Sequence, residues 1–198
     1  MIKAIIFDWG GVIVENPGPK QIQYFAEYFQ VTQEDFRKAN QMFKDTFQRG
    51  KISEQNYWQK MSSELNIKEP QVPLWKEALT KIYKENKDMF SLAVSLKKNS
   101  YKIGLLSNTE IPTMNFFFEQ GYNIFDVTVF SCKEGHTKPD KHIYEIAVNR
   151  LGVQPQEAVM IDDRTKNITG AKKAGLQGIV FKGYNSLQQE LTSLSVEI

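Results

Sequence analysis

The sequence predicts an α/β protein, a doubly wound parallel sheet with a helical segment inserted after the first strand. Three observations predict it. Five short apolar runs are spread along the chain, and several lack the polar alternation of a half-exposed sheet, as strands covered on both faces require. Helical patterns lie between the later runs, which is the alternation of a parallel sheet. Between the first and second runs, a long stretch carries helical spacing only.

The first run, Lys3 to Phe7, is a strand that stops at Asp8 and two adjacent glycines, Gly10 and Gly11. From Pro17 to Asp88 four sets of apolar residues recur at spacings of three and four: Ile22, Phe25, Ala26, Phe29; Phe36, Ala39, Phe43, Phe47; Tyr57, Trp58, Met61, Leu65; and Leu74, Ala78, Leu79, Ile82. Each set falls on one helix face, with Gly50 and Pro70 at the joins. Lys102 to Leu106 and Val127 to Phe130 are the second and third strands. A helix over Ile143 to Arg150 places Ile143, Ile146 and Ala147 together, ahead of a fourth strand from Ala158 to Ile161. Thr169 to Ala174 is helical and stops at Gly175, and Gly178 to Phe181 is the fifth strand. The expected division is an α/β domain over residues 1–16 and 89–198 with a helical insertion over 17–88. The aromatic residues of the insertion are read mainly as its own core.

Composition excludes several classes. The 198 residues hold 25 Lys and Arg against 23 Asp and Glu, without a run of five like charges, so no nucleic-acid groove or polybasic membrane patch is expected. No segment approaches the roughly 18 apolar residues that span a bilayer. Cys132 is the only cysteine, and the apolar start is broken by Lys3 and Asp8, unlike a signal peptide. A reducing cytoplasm is the expected location.

In a parallel sheet, ligands bind beyond the carboxyl ends of the strands, where the winding reverses. Asp8 follows the first strand, Ser107 and Asn108 the second, Lys138 the third after a loop, and Asp162 and Asp163 the fourth. Singly, each has an ordinary reading as a turn former, a helix cap or a surface lysine. Jointly, they bring three carboxylates, a hydroxyl and an ammonium to one edge. Crowded carboxylates raise one another's pKa unless cations compensate. A hard cation such as magnesium takes carboxylate, carbonyl and water oxygens, and lysine adds a second positive charge. With a hydroxyl and backbone amides left for a phosphate, phosphoryl transfer is the chemistry that best matches the set.

"FDWGGV", "LLSN", "KP" and "MIDDRTKN", in this order, resemble the four motifs of the haloacid dehalogenase superfamily of hydrolases, and the helical insertion resembles its small helical cap. The resemblance covers essentially the whole chain and implies a Rossmann-like core. It implies that Asp8 attacks phosphorus and forms an aspartyl-phosphate. Ser107, with the amides of Trp9 and Asn108, would hold phosphate oxygens, and Lys138 would neutralise the nucleophile and the transferring group. Asp8, the carbonyl of Gly10, Asp162 and Asp163 would hold magnesium.

The expected function is therefore a magnesium-dependent phosphatase acting on a small phosphorylated metabolite such as a sugar phosphate, as a monomer or homodimer. One departure bears on it. Phosphatases of the family usually carry a second aspartate two residues after the nucleophile, as acid and base, and that position is Gly10 here. Glu15, His136 and a metal-bound water are candidate substitutes. Two alternatives follow from the departure: displacement of halide from carbon, against which the Asp162–Asp163 pair argues, and a non-catalytic binding protein.

Overall fold

The computed structural model describes residues 1–198. The chain runs β1 (Ala4–Phe7), α1 (Gly18–Phe29), α2 (Gln33–Gln48), α3 (Glu54–Leu65), α4 (Leu74–Ile82), α5 (Lys87–Lys98), β2 (Lys102–Ser107), α6 (Ile111–Glu119) and β3 (Val127–Phe130). It continues through α7 (Ser131–Glu134), α8 (Lys141–Leu151), a 3₁₀ turn at Pro155–Glu157, β4 (Ala158–Asp162), α9 (Thr165–Lys173), β5 (Gln177–Val180) and α10 (Tyr184–Ser193). All five strands are parallel, in the order β3-β2-β1-β4-β5. The chain winds from β1 out to β3 and then returns to lay β4 on the other side of β1. The winding therefore reverses beside β1, and a crevice opens beyond its carboxyl end.

Successive strand residues point to opposite faces, and here both faces are covered. Ile5, Phe7, Ile103, Leu105, Val159 and Ile161 pack into one core with Met89 and Leu92 of α5 and Leu187 of α10. Ala4, Ile6, Leu106, Ala158 and Met160 pack into another with Ile143 of α8 and Ile168 of α9. That is why the runs read as continuously apolar. β2 and β4 each extend one residue beyond the expected end, taking in Ser107 and Asp162, while β5 starts one residue earlier and stops before Phe181. The helices α5, α6, α7 and α10 were not singled out by the sequence pattern.

The segment between β1 and α5 contains four helices and no strand, as its spacing predicts. α1 to α4 bury a third cluster, including Phe25, Phe36, Phe47, Tyr57, Trp58 and Trp75. The rings of Phe25 and Trp58 meet edge to face at 5.1 Å, and those of Phe47 and Tyr57 stack at 4.5 Å. Each such buried side chain contributes about 1.5–3 kcal/mol relative to exposure. Thr32 and Ser53 cap α2 and α3, accepting from the amides of Asp35 and Asn56 at 3.0 and 3.1 Å. The end of α2 is tied to the sheet domain: Ser131 Oγ donates to the Gln48 carbonyl at 2.7 Å, and Arg49 Nη1 to the Gly135 carbonyl at 3.2 Å. No helix is long and apolar enough to cross a membrane.

Candidate active site

Asp8 is the first residue past β1, and its amide still donates to the Ile161 carbonyl at 2.9 Å, extending the β1–β4 ladder by one step. Its buried carboxylate is thereby fixed at the crevice. Asp8 Oδ1 accepts from the Trp9 amide at 2.7 Å and lies 2.8 Å from Lys138 Nζ. The Trp9 indole is not at the site; it packs among Tyr83, Phe117 and Tyr122.

Lys138 is 3% exposed, and its ammonium meets three acceptors: Asp8, Asp162 Oδ2 at 2.7 Å and the Leu106 carbonyl at 2.8 Å. Three donors thus find three oxygens, the condition under which a buried ammonium is tolerated. The Asn108 side chain positions it. Asn108 Nδ2 donates to the Lys138 carbonyl at 2.9 Å, and Asn108 Oδ1 accepts from the Lys138 amide at 2.7 Å. Ser107, the last residue of β2, is buried and lines the same crevice.

The paired aspartates differ. Asp162 is completely buried and saturated: Oδ1 accepts from the Arg164 amide and Asn167 Nδ2, both at 2.9 Å, and Oδ2 accepts from Lys138 and, at 3.0 Å, from Asn167 Nδ2. Asp163 is half-buried, and its Oδ1 is buried with no hydrogen-bond partner. Carboxylate oxygens of Asp8, Asp162 and Asp163 lie within 4.8 Å of one another. Burial pushes the Asp8 pKa up and Asp162 adds to this, against the pull of Lys138. Asp163 is also raised, by burial and then by Asp162. Asp162 alone is held low, its burial outweighed by Lys138 and its hydrogen bonds. Two crowded carboxylates with raised pKa values and one orphaned oxygen form a donor set that fits a hard divalent cation.

The two glycines have different causes. Gly11 has φ +92°, and a Cβ there would fall 2.6 Å from Asp163 Oδ2, so both its backbone and its space demand glycine. A Cβ on Gly10 would meet only Pro17, at 3.1 Å from its Cδ.

Over this edge, α1 to α4 enclose a cavity of about 130 Å³ that reaches from Asp8, Ser107 and Lys138 into the helical segment. Of Tyr24, Phe47, Tyr57 and Trp58 in the helical segment, Tyr57 alone lines it, its hydroxyl donating to Asn40 Oδ1 at 2.8 Å. Phe47 and Trp58 are buried in the helical cluster, while Tyr24 lies beside Lys81, whose Nζ donates to its hydroxyl at 3.0 Å. Glu15 and His136 do not line the cavity. Glu15 is exposed and paired with Lys84 and Lys20, whose hydrogen bonds lower its pKa, and His136 is turned to Asp140 at 2.9 Å. Both side-chain candidates for the missing acid are thus engaged elsewhere. Among the lining residues that went unnoticed in the sequence are Gln21, Lys44 and Glu110. Only Glu110 left a signal there, as a carboxylate three residues beyond Ser107.

The chain is 29% identical over 204 residues to the D-ribitol-5-phosphate phosphatase of Bacteroides thetaiotaomicron, covering 97% of this chain and 98% of that one. It is 26% identical over 202 residues to mouse acyl-CoA dehydrogenase family member 10, but spans only 19% of that protein's length. A solved HAD family enzyme of Bacteroides thetaiotaomicron, in complex with magnesium and inorganic phosphate, shares the fold with a TM-score of 0.78 at 20% identity, over 94% of this chain and 99% of that one. A family model described as haloacid dehalogenase-like hydrolase matches residues 2–175. With that match over most of its length, the five-stranded parallel sheet, and Asp8, Ser107, Lys138 and the aspartate pair gathered at one edge, the chain belongs to the haloacid dehalogenase-like hydrolases.

Proposed function

We propose that this protein is a magnesium-dependent phosphatase of small phosphorylated metabolites that works through an aspartyl-phosphate on Asp8, with the helices within residues 17–88 as a cap over the site. The observation that carries the reading is the position of the Lys138 ammonium, between Asp8 and Asp162, with the Asp163 oxygen left free beside them. An Asp8 oxygen attacks phosphorus as the ester P–O bond breaks. Water then attacks the phosphorus of the aspartyl-phosphate, freeing phosphate and restoring the carboxylate. Ser107 and the amides of Trp9 and Asn108 hold phosphoryl oxygens, and Lys138 offsets charge on Asp8 and on the transferring group.

Asp163, Asp8 and the Gly10 carbonyl would hold the magnesium ion, while Asp162, whose oxygens are already occupied, orients Lys138 and the start of α9. When bound, the ion would supply positive charge that offsets the carboxylates and the transferring phosphoryl group. The phosphatase named among the relatives, and the magnesium and phosphate of the structural neighbour, support this reading. The free Asp163 oxygen argues against a metal-independent attack on carbon.

With glycine at position 10, no side chain from that loop hands a proton to the leaving oxygen, which favours leaving groups of low basicity such as the anomeric oxygen of a sugar phosphate. A screen of phosphorylated metabolites with magnesium, run beside Asp8→Asn, tests the reading. Turnover by the wild type that is lost in the variant and in chelator supports it, and equal turnover by both proteins refutes it.

A further inference from the structure

The chain's only two histidines meet at one carboxylate, away from the cavity. His136, in the turn between α7 and α8, sets Nδ1 2.9 Å from Asp140 Oδ2. His142, in the first turn of α8, sets Nδ1 3.1 Å from Asp140 Oδ1. The two rings lie nearly parallel, with centroids 5.1 Å apart and planes at 19°. One ligand atom from each of the three residues falls within 4.8 Å of the others. Around an ion with tetrahedral bonds of about 2.0–2.1 Å, neighbouring ligand atoms are about 3.3–3.4 Å apart, so both nitrogen-to-oxygen distances are close to those of ligands on a shared ion.

Helix capping accounts for part of this cluster. Asp140 Oδ1 caps α8 by accepting from the His142 amide at 3.1 Å. That cap needs one oxygen and no imidazole, yet two imidazoles are turned onto the carboxylate. The backbone beneath them is fixed. The Asp140 amide donates to the Thr137 carbonyl at 2.8 Å, and Asn108 holds both backbone groups of Lys138. A Cβ on Gly170 would fall 2.6 Å from the Pro139 carbonyl oxygen, so α9 lies directly against the turn. The rings themselves are open to solvent, with side chains 39% exposed at His136 and 68% at His142. Ligands presented by an ordered backbone lose little freedom when an ion binds.

The donor types choose the ion. The edge at Asp8 offers oxygens alone and suits magnesium. Two imidazole nitrogens with one carboxylate suit zinc or a similar transition-metal ion, and leave the fourth position to water. The adjacent cation, Lys141, is paired with Glu145 at 2.7 Å, which leaves the Asp140 charge for the ion.

The geometry points to a second metal site, at which His136 Nδ1, His142 Nδ1 and Asp140 hold a zinc-class divalent cation outside the catalytic crevice. The ion takes the place of the hydrogens between each ring and the carboxylate, and each neutral ring then carries its proton on Nε2. Bound there, it ties residue 136 to residue 142 across the turn that carries Lys138.

The test is a calorimetric titration of zinc into the full chain in millimolar magnesium. His136→Gln and His142→Gln should each lose one zinc equivalent of the wild type, or bind it at least about tenfold more weakly, because one of the protein ligands is gone. Asp8→Asn should keep that equivalent. His142 is largely exposed, so His142→Gln keeps the fold and decides the matter if His136→Gln does not. Zinc should also raise the thermal unfolding midpoint of the wild type more than that of His142→Gln. No zinc uptake by the wild type, uptake that both histidine changes leave intact, or loss of the equivalent in Asp8→Asn overturns the site.

Discussion

The ammonium of Lys138 lies 2.7 Å from the carboxylate of Asp162, and both side chains are almost wholly buried. This ion pair separates the roles of the two neighbouring aspartates. Asp162 spends its oxygens on Lys138, Asn167 and the Arg164 amide, which leaves Asp163 as the one with an oxygen to give.

Lys138→Met removes the cation and leaves buried carboxylates uncompensated, which costs on the order of 3–5 kcal/mol at neutral pH. Without the lysine, the carboxylates take up protons more readily when folded than when unfolded. The deficit should therefore shrink as the pH is lowered. Denaturant unfolding across pH checks both statements; a deficit that does not change with pH would contradict them.

Asp163→Asn and Asp162→Asn should separate metal binding from stability. Losing the free anionic ligand at Asp163 should weaken magnesium binding at least about tenfold, by calorimetry, with little change in folding. Asp162→Asn should cost folding stability and affect magnesium less. The reverse ranking would place the ion on Asp162.

The strands were legible because the three central ones, β1, β2 and β4, are buried on both faces, so apolar runs alone mark them, and residues at the carboxyl ends of the strands share an edge by topology. Val127 to Phe130 coincides with β3, whereas Ser107 and Asp162, polar ends of strands, fell outside the expected runs. The helical spacing between residues 17 and 88 showed which residues pack, as in Phe25, Phe36 and Trp58. It did not show which flank faces the sheet. Gln21 and Lys44 come to share a cavity with Glu110 only through the docking of α1 and α2, a proximity across more than sixty residues of chain that no local pattern encodes. For the same reason Glu15 looked close to Asp8 in sequence but points to Lys20 and Lys84.

Gly10→Asp should fold, because the backbone there is not in a left-handed region and only Pro17 must give way by a few tenths of an ångström. It supplies the missing proton donor. Single-turnover phosphorylation by an alkyl phosphate should rise, up to about 10²–10⁴-fold, while p-nitrophenyl phosphate, which leaves unaided, gains little in that step. Equal effects on the two substrates would mean that another group already provides the proton.

Glu110 sets a pH dependence of stability in metal-free buffer. Burial raises its pKa above the ordinary 4.5, against the hydrogen bond from Gln48 and the charge of Lys44. Between 4.5 and the raised value, the folded protein holds a proton that the unfolded chain has released, so stability falls as pH rises through that window. Glu110→Gln lacks this loss. Its stability relative to wild type should improve as pH rises through the window and become independent of pH on either side, and parallel unfolding profiles would rule this out.

The central claim is that Asp8 carries the phosphoryl group. Mixing the wild type with magnesium and a substrate found in the screen, quenching with acid within one turnover, and reducing with borohydride converts an acyl phosphate to an alcohol. The account predicts homoserine at position 8 in the mapped peptides, dependent on substrate and absent when substrate is omitted. Full turnover with Asp8 recovered only as aspartate, or with the reduced residue elsewhere in the chain, would contradict it.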